Sequence, residues 1–400
     1  MKKNKLINIL FIFPYTEKGG AQKSFVDIIK NLDKKKFNIY IICQKTIEKS
    51  YLIKLEKSGV KIEKFYLPYW NNQKEVKNII RFRQFISNLF KSGFHLLSIT
   101  RILNKIKEWN IDLVYTNGAI TLDGALASEL AGKPHIWHIR ELIGADKPCS
   151  FLIGNYNAIK LISKLSKAVI VNSKATKEPF DNFKITNSTV IYNGFDINEY
   201  SHRKRTYYLN EKLGLERKNI LLGYLSNYAK WKNQKDLIKI AYIVKKENKN
   251  IKFLLIGIKP KNTNSYFNSL ASLVKKLDLE DTVYFLEFQE NIVDIIKDLD
   301  VIATTSLFES FGRTIIEGML MNKIVVSYNA EAPSELINNN KTGFLIEKGN
   351  ILQFASRIVK IANNLPKYAA VKDRARKYAE KKFNIKNIVN QLEDLFISLA

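Results

Sequence analysis

Residues 309–317 read Glu-Ser-Phe-Gly-Arg-Thr-Ile-Ile-Glu, and this is the most informative stretch of the chain. It follows an apolar run, Val301–Thr305, which predicts a buried strand. Apolar residues then recur at helical spacing: Ile315, Ile316, Met319 and Leu320. The stretch therefore predicts a strand-to-helix turn with one carboxylate in the turn and a second in the helix.

This turn suits a sugar nucleotide. Gly312 allows the backbone to approach a ligand closely, and the start of the following helix offers unpaired N–H groups and a positive dipole end to a phosphate. Glu317 would lie roughly 7 to 8 Å along a helix that begins near Gly312. That distance is close to the separation between a diphosphate and the far hydroxyls of a ribose, whereas Glu309 would lie on the sugar side of the phosphates.

The two glutamates, set in the sequence Ser-Leu-Phe-Glu-Ser-Phe-Gly-Arg-Thr-Ile-Ile-Glu-Gly-Met of residues 306–319, resemble the signature of glycosyltransferase family four. The resemblance covers nearly the whole chain. It implies the α/β GT-B fold, two doubly wound Rossmann-like domains facing a central cleft, and transfer with retention of anomeric configuration. It also implies the donor-binding residues of this stretch: Glu309, Phe311, Gly312, Arg313, Thr314 and Glu317.

The segment from Tyr224 to Gln234 resembles the family's diphosphate-binding segment, in which an arginine follows a strand glycine and a lysine comes later. Lys232 matches that lysine. The arginine is missing, because Tyr224 follows Gly223, and the intervening loop is longer than usual. Lys230 is therefore a second candidate for the phosphate contact. The alternative is that Lys232 has no functional contact and is a solvated lysine in a lysine-rich chain.

Two further places in the first half resemble donor-contacting positions of the family. Gly19-Gly20 follows the first predicted strand, and Gly20 would approach the donor phosphate, although a plain tight turn explains the pair equally well. His138 and Arg140 end another predicted strand. His138 would bind a sugar hydroxyl and Arg140 would neutralise phosphate charge. The alternatives are a histidine satisfied by a backbone carbonyl and a surface pair of Arg140 with Glu141.

The chain organisation predicts two domains. Four hundred residues exceed what one core usually holds, and apolar strands alternate with amphipathic helices, which is typical of parallel α/β domains. A polar stretch, Asp196 to Lys212, separates two such series, so domains 1–195 and 196–384 are expected. The resemblance implies that the first binds the acceptor, that the second binds the nucleotide-sugar donor, and that the last helix, within 385–400, crosses back to the first.

The strands are predicted from short apolar runs bounded by turn residues. Besides a strand that ends near Val190, they are Leu6–Phe13, Ile39–Cys43, Leu113–Tyr115, Pro134–Ile139, Ala168–Asn172, Ile220–Leu225, Lys252–Gly257, Val283–Leu286, Val301–Thr305 and Ile324–Ser327.

Composition narrows the function class. Two cysteines are too few for a disulfide framework and fit a reducing cytosol, and no run of about twenty apolar residues predicts a membrane span. The net charge of +27 is compatible with nucleic acid, an anionic membrane or an anionic substrate, or with compositional drift. Because no nucleic-acid-binding motif accompanies the charge, we expect no nucleic-acid partner.

No metal or cofactor is expected. Asp298-Leu299-Asp300 has the form of a metal-binding motif, but it precedes a buried strand, where the family commonly has an aspartate of structural role. No His/Cys cluster has metal-ligand spacing. Lysines, arginines and a helix N-terminus would supply the positive charge that a metal supplies elsewhere.

Residues 69–109 form an unusually basic segment whose apolar residues Ile79, Phe82, Ile86 and Leu89 share one helical face. Such a segment either docks on the anionic inner face of the cytoplasmic membrane, as family members often do, or packs its apolar face on the sheet. Its basic residues are Lys74, Lys77, Arg81, Arg83, Lys91, Arg101, Lys105 and Lys107. The expected location is therefore cytoplasmic, with a peripheral membrane contact under the first alternative.

These features together predict a retaining, metal-independent glycosyltransferase. It would move a sugar from a nucleoside diphosphate to a lipid-linked or polysaccharide acceptor in bacterial cell-surface glycan synthesis, with Glu309, His138 and Lys232 at the reacting centre. A sugar-nucleotide epimerase or a phosphorylase of the same fold is the first alternative. A basic nucleic-acid-binding protein is the alternative from another class.

Overall fold

The computed structural model describes residues 6–16, 19–72, 81–151, 153–200, 204–258, 265–287 and 291–400, with backbone only at residues 72 and 81–92. The chain divides into two compact units. Unit 1 comprises residues Met1–Phe195 and Ile385–Ala400, and unit 2 comprises Asp196–Asn384. Within the described residues, no helix is both long enough and apolar enough to cross a membrane.

Unit 1 is built on a parallel sheet. Its strands are β1 (Ile7–Phe13), β2 (Phe37–Gln44), β3 (Lys61–Phe65), β4 (Asn71–Asn72), β5 (Leu113–Asn117), β6 (His135–Ile139), β7 (Ser150–Phe151), β8 (Ala168–Val171) and β9 (Ser188–Val190). Seven of them pair in parallel in the order β3-β2-β1-β5-β6-β8-β9, and β4 pairs with β7 in a separate antiparallel ladder. The central strands are apolar almost throughout because helices cover both faces of the sheet.

The helices of unit 1 connect these strands. They are α1 (Gly20–Asn31), α2 (Lys49–Glu56), α3 (Arg81–Glu108), α4 (Asp123–Leu130), α5 (Asn155–Lys164) and α6 (Lys174–Asn182). Helices α1 and α2 pack on one side of the sheet. Helix α3 packs on the opposite side, where its residues Ile102 and Ile106 are buried. The alternation of strand and helix predicted for this half is therefore confirmed.

Unit 2 repeats the plan with a six-stranded sheet. Its strands are β10 (Ile220–Leu225), β11 (Ile251–Gly257), β12 (Val283–Glu287), β13 (Val301–Thr304), β14 (Ile324–Asn329) and β15 (Phe344–Glu347). All pair in parallel, in the order β12-β11-β10-β13-β14-β15. Its helices are α7 (Tyr208–Lys212), α8 (Gln234–Glu247), α9 (Ser265–Lys276), α10 (Ile292–Ile296), α11 (Arg313–Leu320), α12 (Pro333–Leu336), α13 (Ile351–Ala362) and α14 (Ala369–Lys382).

The last helix, α15 (Ile385–Leu399), belongs to unit 1 although it follows unit 2 in sequence. Its apolar face joins the core over β1, where Phe396 lies edge-on to Phe11, with ring centroids 6.1 Å apart. Glu393 accepts a 2.8 Å hydrogen bond from the backbone N–H of Asp33 and pairs with Lys36 at 3.0 Å. Apolar burial and a partly buried ion pair therefore hold the end of the chain on unit 1.

The strand order reverses once in each sheet. In unit 1 the reversal lies between β1 and β5, which pair directly, and in unit 2 it lies between β10 and β13. Ligands of doubly wound α/β units bind outside the carboxyl ends of the strands at this point, because the connecting loops leave the sheet in opposite directions there and open a crevice. Each unit thus has one place where topology favours a site.

Candidate functional site

Two loops come together at the strand reversal of unit 2. One runs from Ser226 to Asn233 after β10, and the other from Thr305 to Gly312 after β13. Three hydrogen bonds to successive carbonyls of the first loop join it to its surroundings: Leu307 N–H to Trp231 at 2.8 Å, the Tyr224 hydroxyl to Lys232 at 2.6 Å and the Thr305 hydroxyl to Asn233 at 2.9 Å. The backbone that carries Lys232 is therefore fixed against the loop that carries Glu309.

Lys232 and Glu309 form an ion pair across these loops. Lys232 Nζ lies 2.5 Å from Glu309 Oε2, and the side chains are 21% and 16% exposed. The hydroxyl of Ser306 lies 3.4 Å from the same carboxylate oxygen. Because both charged groups keep some access to solvent, a ligand can reach either of them without unfolding the loops.

Tyr224 occupies the place where the resemblance implies an arginine. The residue is 2% exposed, and its hydroxyl contacts both the Lys232 carbonyl and the Ser306 hydroxyl. Burial raises the pKa of this phenol far above its usual range, so the group stays neutral. Tyr224 thus supports the loop and supplies no positive charge, whereas Lys230 is exposed at the start of the 3-10 turn Lys230–Lys232.

The turn into α11 has the predicted form. Gly312 adopts a left-handed φ of 89° immediately before the helix, a conformation that side chains other than glycine rarely adopt. Phe311 is buried and packs edge-on to Phe383, so it serves the core. Thr314 is partly exposed in the first turn of α11, where backbone N–H groups point out of the helix.

Glu317 is buried, and so does not lie on the helix surface. It is 4% exposed, its Oε1 lies 3.5 Å from Arg313 Nε one turn earlier, and the hydroxyl of Tyr200 donates to it at 3.2 Å. Tyr200 lies in the polar stretch 196–212 that separates the two predicted domains, and it is buried in unit 2. Sequence reasoning missed Tyr200, although an aromatic residue within a charged stretch is a signal for burial.

The aspartates of the Asp298-Leu299-Asp300 sequence bind backbone and side-chain groups of unit 2. Asp298 is fully buried and accepts hydrogen bonds from the backbone N–H groups of Thr206, Tyr207 and Leu209 at 2.7, 3.2 and 3.1 Å. Asp300 pairs with Arg205 at 2.8 Å. These carboxylates are occupied by the chain, and among the described residues no group of three or more His, Cys, Asp or Glu is placed to hold a metal ion.

In unit 1, His138 and Arg140 are both buried near the end of β6. Burial, and the nearby charge of Arg140, lower the pKa of His138 far below its usual range, so its imidazole is neutral. Its Nδ1 contacts the hydroxyl of Tyr115, and its Nε2 is buried without a partner among the described residues. Arg140 donates at 2.6 Å to the side-chain oxygens of both Asn117 and Asn193.

Arg140 and Glu141 do not form the surface pair that was one alternative. Arg140 is 4% exposed, and the Glu141 carboxylate accepts hydrogen bonds from the Tyr15 hydroxyl and, at 2.8 Å, from the Ala119 N–H. Glu141 thereby connects the ends of β1, β5 and β6. Gly20 is the exposed first residue of α1, which follows the carboxyl end of β1, so it lies at the same edge of the sheet.

The basic segment 69–109 is described only in part. Lys74 and Lys77 lie outside the described residues, as do the side chains of Arg81, Arg83, Lys91 and the apolar face that begins at Ile79. In the described half of α3, Ile102 and Ile106 are packed in the core, and Lys105 pairs with Glu63 and Glu108 at 2.9 Å each. That half fits the packing alternative, while the other half stays a prediction.

Comparison with known families gives two matches that follow the division into units. The family model described as "Glycosyltransferase Family 4" matches residues 18–199, and the one described as "Glycosyl transferases group 1" matches residues 209–378. The second match contains Lys232, Glu309 and Glu317.

Individual relatives are similar to the chain at low identity. The poly(ribitol-phosphate) alpha-N-acetylglucosaminyltransferase of Staphylococcus aureus is 24% identical over 67% of this chain and 51% of its own length. The UDP-Gal:alpha-D-GlcNAc-diphosphoundecaprenol alpha-1,3-galactosyltransferase of Escherichia coli is 25% identical over 78% of this chain and 81% of its own. The chain spans only about half of the length of several such relatives, between 46% and 52%. The poly(ribitol-phosphate) enzyme is one of them.

Among solved structures, the crystal structure of Anabaena HepE in complex with UDP-glucose superposes with a TM-score of 0.82 at 25% identity, covering 98% of this chain and all of HepE. The predicted fold class is confirmed by this likeness and by the two parallel α/β sheets.

Proposed function

Since this chain belongs to glycosyltransferase family four, we propose that it transfers a sugar from a nucleoside diphosphate to a lipid-linked or polysaccharide acceptor of the bacterial cell surface. One observation carries the proposal: at the strand reversal of unit 2, the Lys232–Glu309 pair stands next to the left-handed Gly312 that opens α11. A cation, a carboxylate and a helix N-terminus at one crevice suit a diphosphate flanked by hydroxyl groups.

In unit 2, different residues bind different parts of the donor. Lys232 and the backbone from Gly312 to Thr314 stabilise the diphosphate as negative charge develops on it. Glu309 exchanges part of its contact with Lys232 for hydroxyls of the transferred sugar. Glu317, held by Arg313 and Tyr200, accepts hydrogen bonds from the ribose. A hydrogen bond donated to a charged carboxylate is stronger than one between neutral groups, so carboxylates are suited to bind these hydroxyls.

In unit 1 we assign three groups to the donor or the leaving phosphate. Gly20 contributes backbone at the start of α1, Arg140 contributes positive charge, and His138 contributes a neutral imidazole. Because the pKa of His138 is lowered by burial, it acts as a hydrogen-bonding group and not as a cation. The acceptor is assigned to this unit as well.

We further propose that the reaction retains anomeric configuration and uses no metal ion. The positive charge beside the diphosphate then comes from Lys232 and the N-terminus of α11, and Asp298 and Asp300 have structural roles.

We expect EDTA to leave the initial rate of transfer within about twofold of the untreated rate, because removing a cation that makes no contact with the transition state does not affect catalysis. Rates with and without chelator check this, and activity that is abolished by EDTA and restored by Mn²⁺ would contradict it.

Donor screening tests the function itself. The purified protein is incubated with a panel of sugar nucleotides, beginning with UDP sugars, and nucleotide release is measured with and without candidate acceptors. Acceptor-dependent release supports a transferase. Conversion of the sugar nucleotide without any acceptor supports the epimerase alternative, and release that depends on inorganic phosphate supports a phosphorylase. Absence of saturable binding of any sugar nucleotide would refute the proposal.

Contact with an anionic membrane through residues 69–109 is part of the proposal. Each positive charge near such a surface contributes ~1 kcal/mol to binding, so the protein is expected to co-sediment with anionic vesicles, less with neutral ones, and less as salt rises. Changing Lys77, Arg81 and Arg83 together to Glu should abolish this binding. The control is a triple Glu variant of Lys367, Lys372 and Lys377 in unit 2, and equal losses in the two variants would point to general attraction by the net charge of +27.

A further inference from the structure

A cavity lined by lysines lies on unit 1, away from the groups assigned to the donor. Its volume is about 290 Å³, and the described residues that line it are Lys30, Lys34, Lys54, Lys57 and Ser58. The first two come from the last turn of α1 and the loop after it, and the other three come from the last turn of α2 and the loop after it. Two helix ends thus bring four positive charges to one place, which we call the lysine cavity.

Topology places the lysine cavity at the amino edge of the unit 1 sheet. Because β1, β2 and β3 are parallel, α1 and α2 each run back from the carboxyl end of one strand to the amino end of the next. Their last turns therefore lie at the edge opposite Gly20, the first residue of α1. The twelve residues of α1 separate the two edges by roughly 18 Å. A ligand in the lysine cavity is therefore too far away to contact Gly20.

The charge of the lysine cavity is not neutralised by neighbouring side chains. The described residues that line it include no aspartate or glutamate, and within the described part of the chain none of its four lysines has an ion pair. Another lysine of this region does have one where a carboxylate is within reach, since Lys36 Nζ lies 3.0 Å from Glu393 Oε2. Unpaired lysines are therefore not a general property of this part of unit 1.

The helix ends account for only part of this charge. The C-terminal end of a helix is equivalent to about −0.5 elementary charge, so lysines in its last turn are favourable. The ends of α1 and α2 together offset about one of the four positive charges. Most of the positive charge remains, so favourable interaction with the helix dipoles does not explain why all four lysines line one cavity.

The backbone around the lysine cavity is fixed, whereas most of its ammonium groups are available. Lys34 Nζ donates a hydrogen bond to the Ser58 carbonyl, which joins the loop after α1 to the loop after α2. Ser58 is 7% exposed, and its hydroxyl donates to the Lys54 carbonyl at 3.0 Å. Within the described part of the chain, the ammonium groups of Lys30, Lys54 and Lys57 make no hydrogen bond. Three cationic donors thus line a fixed cavity.

The shape and the charge of the lysine cavity favour a compact anion with several negative charges. Its lysines come from two helix ends around a small volume, so several ammonium groups can reach one ligand. A condensed phosphate concentrates its charges on neighbouring groups, and its tetrahedral oxygens accept hydrogen bonds from donors on opposite sides. Lysine binds phosphate groups as a point charge with three donors.

We propose that the lysine cavity is a binding site for a soluble condensed phosphate, a diphosphate or triphosphate group, separate from the donor site of unit 2. Lys30, Lys54 and Lys57 bind the anion directly, and Lys34 joins the two loops and adds its charge. The inference does not rest on the proposed function, because it uses only the ends of α1 and α2 and the loops after them.

The test measures binding of inorganic triphosphate by calorimetry. Changing Lys54 and Lys57 together to Gln removes two charges from the lysine cavity and should weaken binding about tenfold, since each contact of a partly exposed charge contributes a factor of a few. The matched control changes Lys164 and Lys167 to Gln, because these lysines are also three residues apart, in unit 1 and without an ion pair in the described part of the chain. It should stay within about twofold of wild type.

Two further measurements separate the site from other effects. Changing Lys54 and Lys57 to Arg keeps the charge, so affinity within about threefold of wild type would show that the Gln pair acts through charge and not through local damage. Triphosphate bound at the donor site remains in every variant, so the differences between them report the lysine cavity alone. Acetylation of lysines, read by mass spectrometry, should show that triphosphate protects Lys30, Lys54 and Lys57 and leaves Lys164 unprotected.

Three outcomes would overturn the inference. Equal weakening in the Lys54/Lys57 and Lys164/Lys167 variants would show that only the net charge of +27 attracts the anion. Wild-type affinity in the Lys54/Lys57 variant, with no protection of these lysines from acetylation, would place the anion elsewhere. Loss of binding to phosphatidylglycerol vesicles in this variant, with triphosphate binding unchanged, would make the lysines a membrane contact instead.

Discussion

Replacing Lys232 by alanine is expected to lower kcat about a hundredfold to a thousandfold, the range found when one pre-placed group is removed from a site of developing charge. The leaving diphosphate gains negative charge in the transition state, so a lysine beside it acts more strongly there than on the bound donor. The three hydrogen bonds to the loop 231–233 hold Lys232 at this place, so little reorganisation is needed during the reaction. The KM for the donor should rise much less than kcat falls.

Lys230→Ala is the matched control, because Lys230 lies two residues away in the same 3-10 turn but is exposed. It should keep kcat within about threefold of wild type, since an exposed charge is screened by solvent. Steady-state kinetics with the donor found by screening measure both variants. A larger loss in Lys230→Ala would move the phosphate contact to that residue, and wild-type rates in both would remove this loop from the site.

Much of the fold was predictable because both sheets are parallel and covered on both faces. Their inner strands are short apolar runs, which can be predicted without knowing which strands pair. For example, β10 has the predicted bounds, Ile220–Leu225. Within the two parallel sheets, the strands missed were β3 and β15, which lie at the sheet edges, and the two-residue strands β4 and β7 of the separate ladder were missed as well. Lys61–Phe65 carries charges at three of its five positions, and Phe344–Glu347 has three apolar residues followed by a charged one, so neither has a long apolar run.

The candidate site was predictable where its residues lie close together in the sequence. The spacing from Glu309 to Glu317 and the glycine between them lie in one strand–turn–helix unit, so the turn could be derived from the residues alone. Contacts made by distant segments could not. Tyr200 reaches Glu317 across more than a hundred residues, and Asn117 and Asn193 reach Arg140 from two other strand ends. The functional roles of all these residues stay predictions until the variants are measured.

Replacing Glu317 by alanine is expected to have the largest effect on stability. Arg313 and Glu317 are 7% and 5% exposed, and removing one member of a buried ion pair leaves the other charge without that partner, at a cost of about 3–5 kcal/mol. The change also removes the carboxylate to which the ribose is assigned, so UDP affinity should fall at least about tenfold. Hydrogen exchange of α11 measures the first effect, and calorimetry with UDP measures the second.

Tyr200→Phe separates the two effects of the Glu317 change. It removes one hydrogen bond to the Glu317 carboxylate but leaves the charge and the ion pair in place. The protection free energy of α11 should therefore fall by only about 1 kcal/mol, and UDP affinity should change little. Glu317→Gln should lie between the two variants, because the amide keeps an acceptor for Tyr200 and loses the charge that faces Arg313. If Glu317→Ala bound UDP like wild type while α11 lost protection, Glu317 would be a structural residue only, and the ribose would have to be bound elsewhere in the molecule.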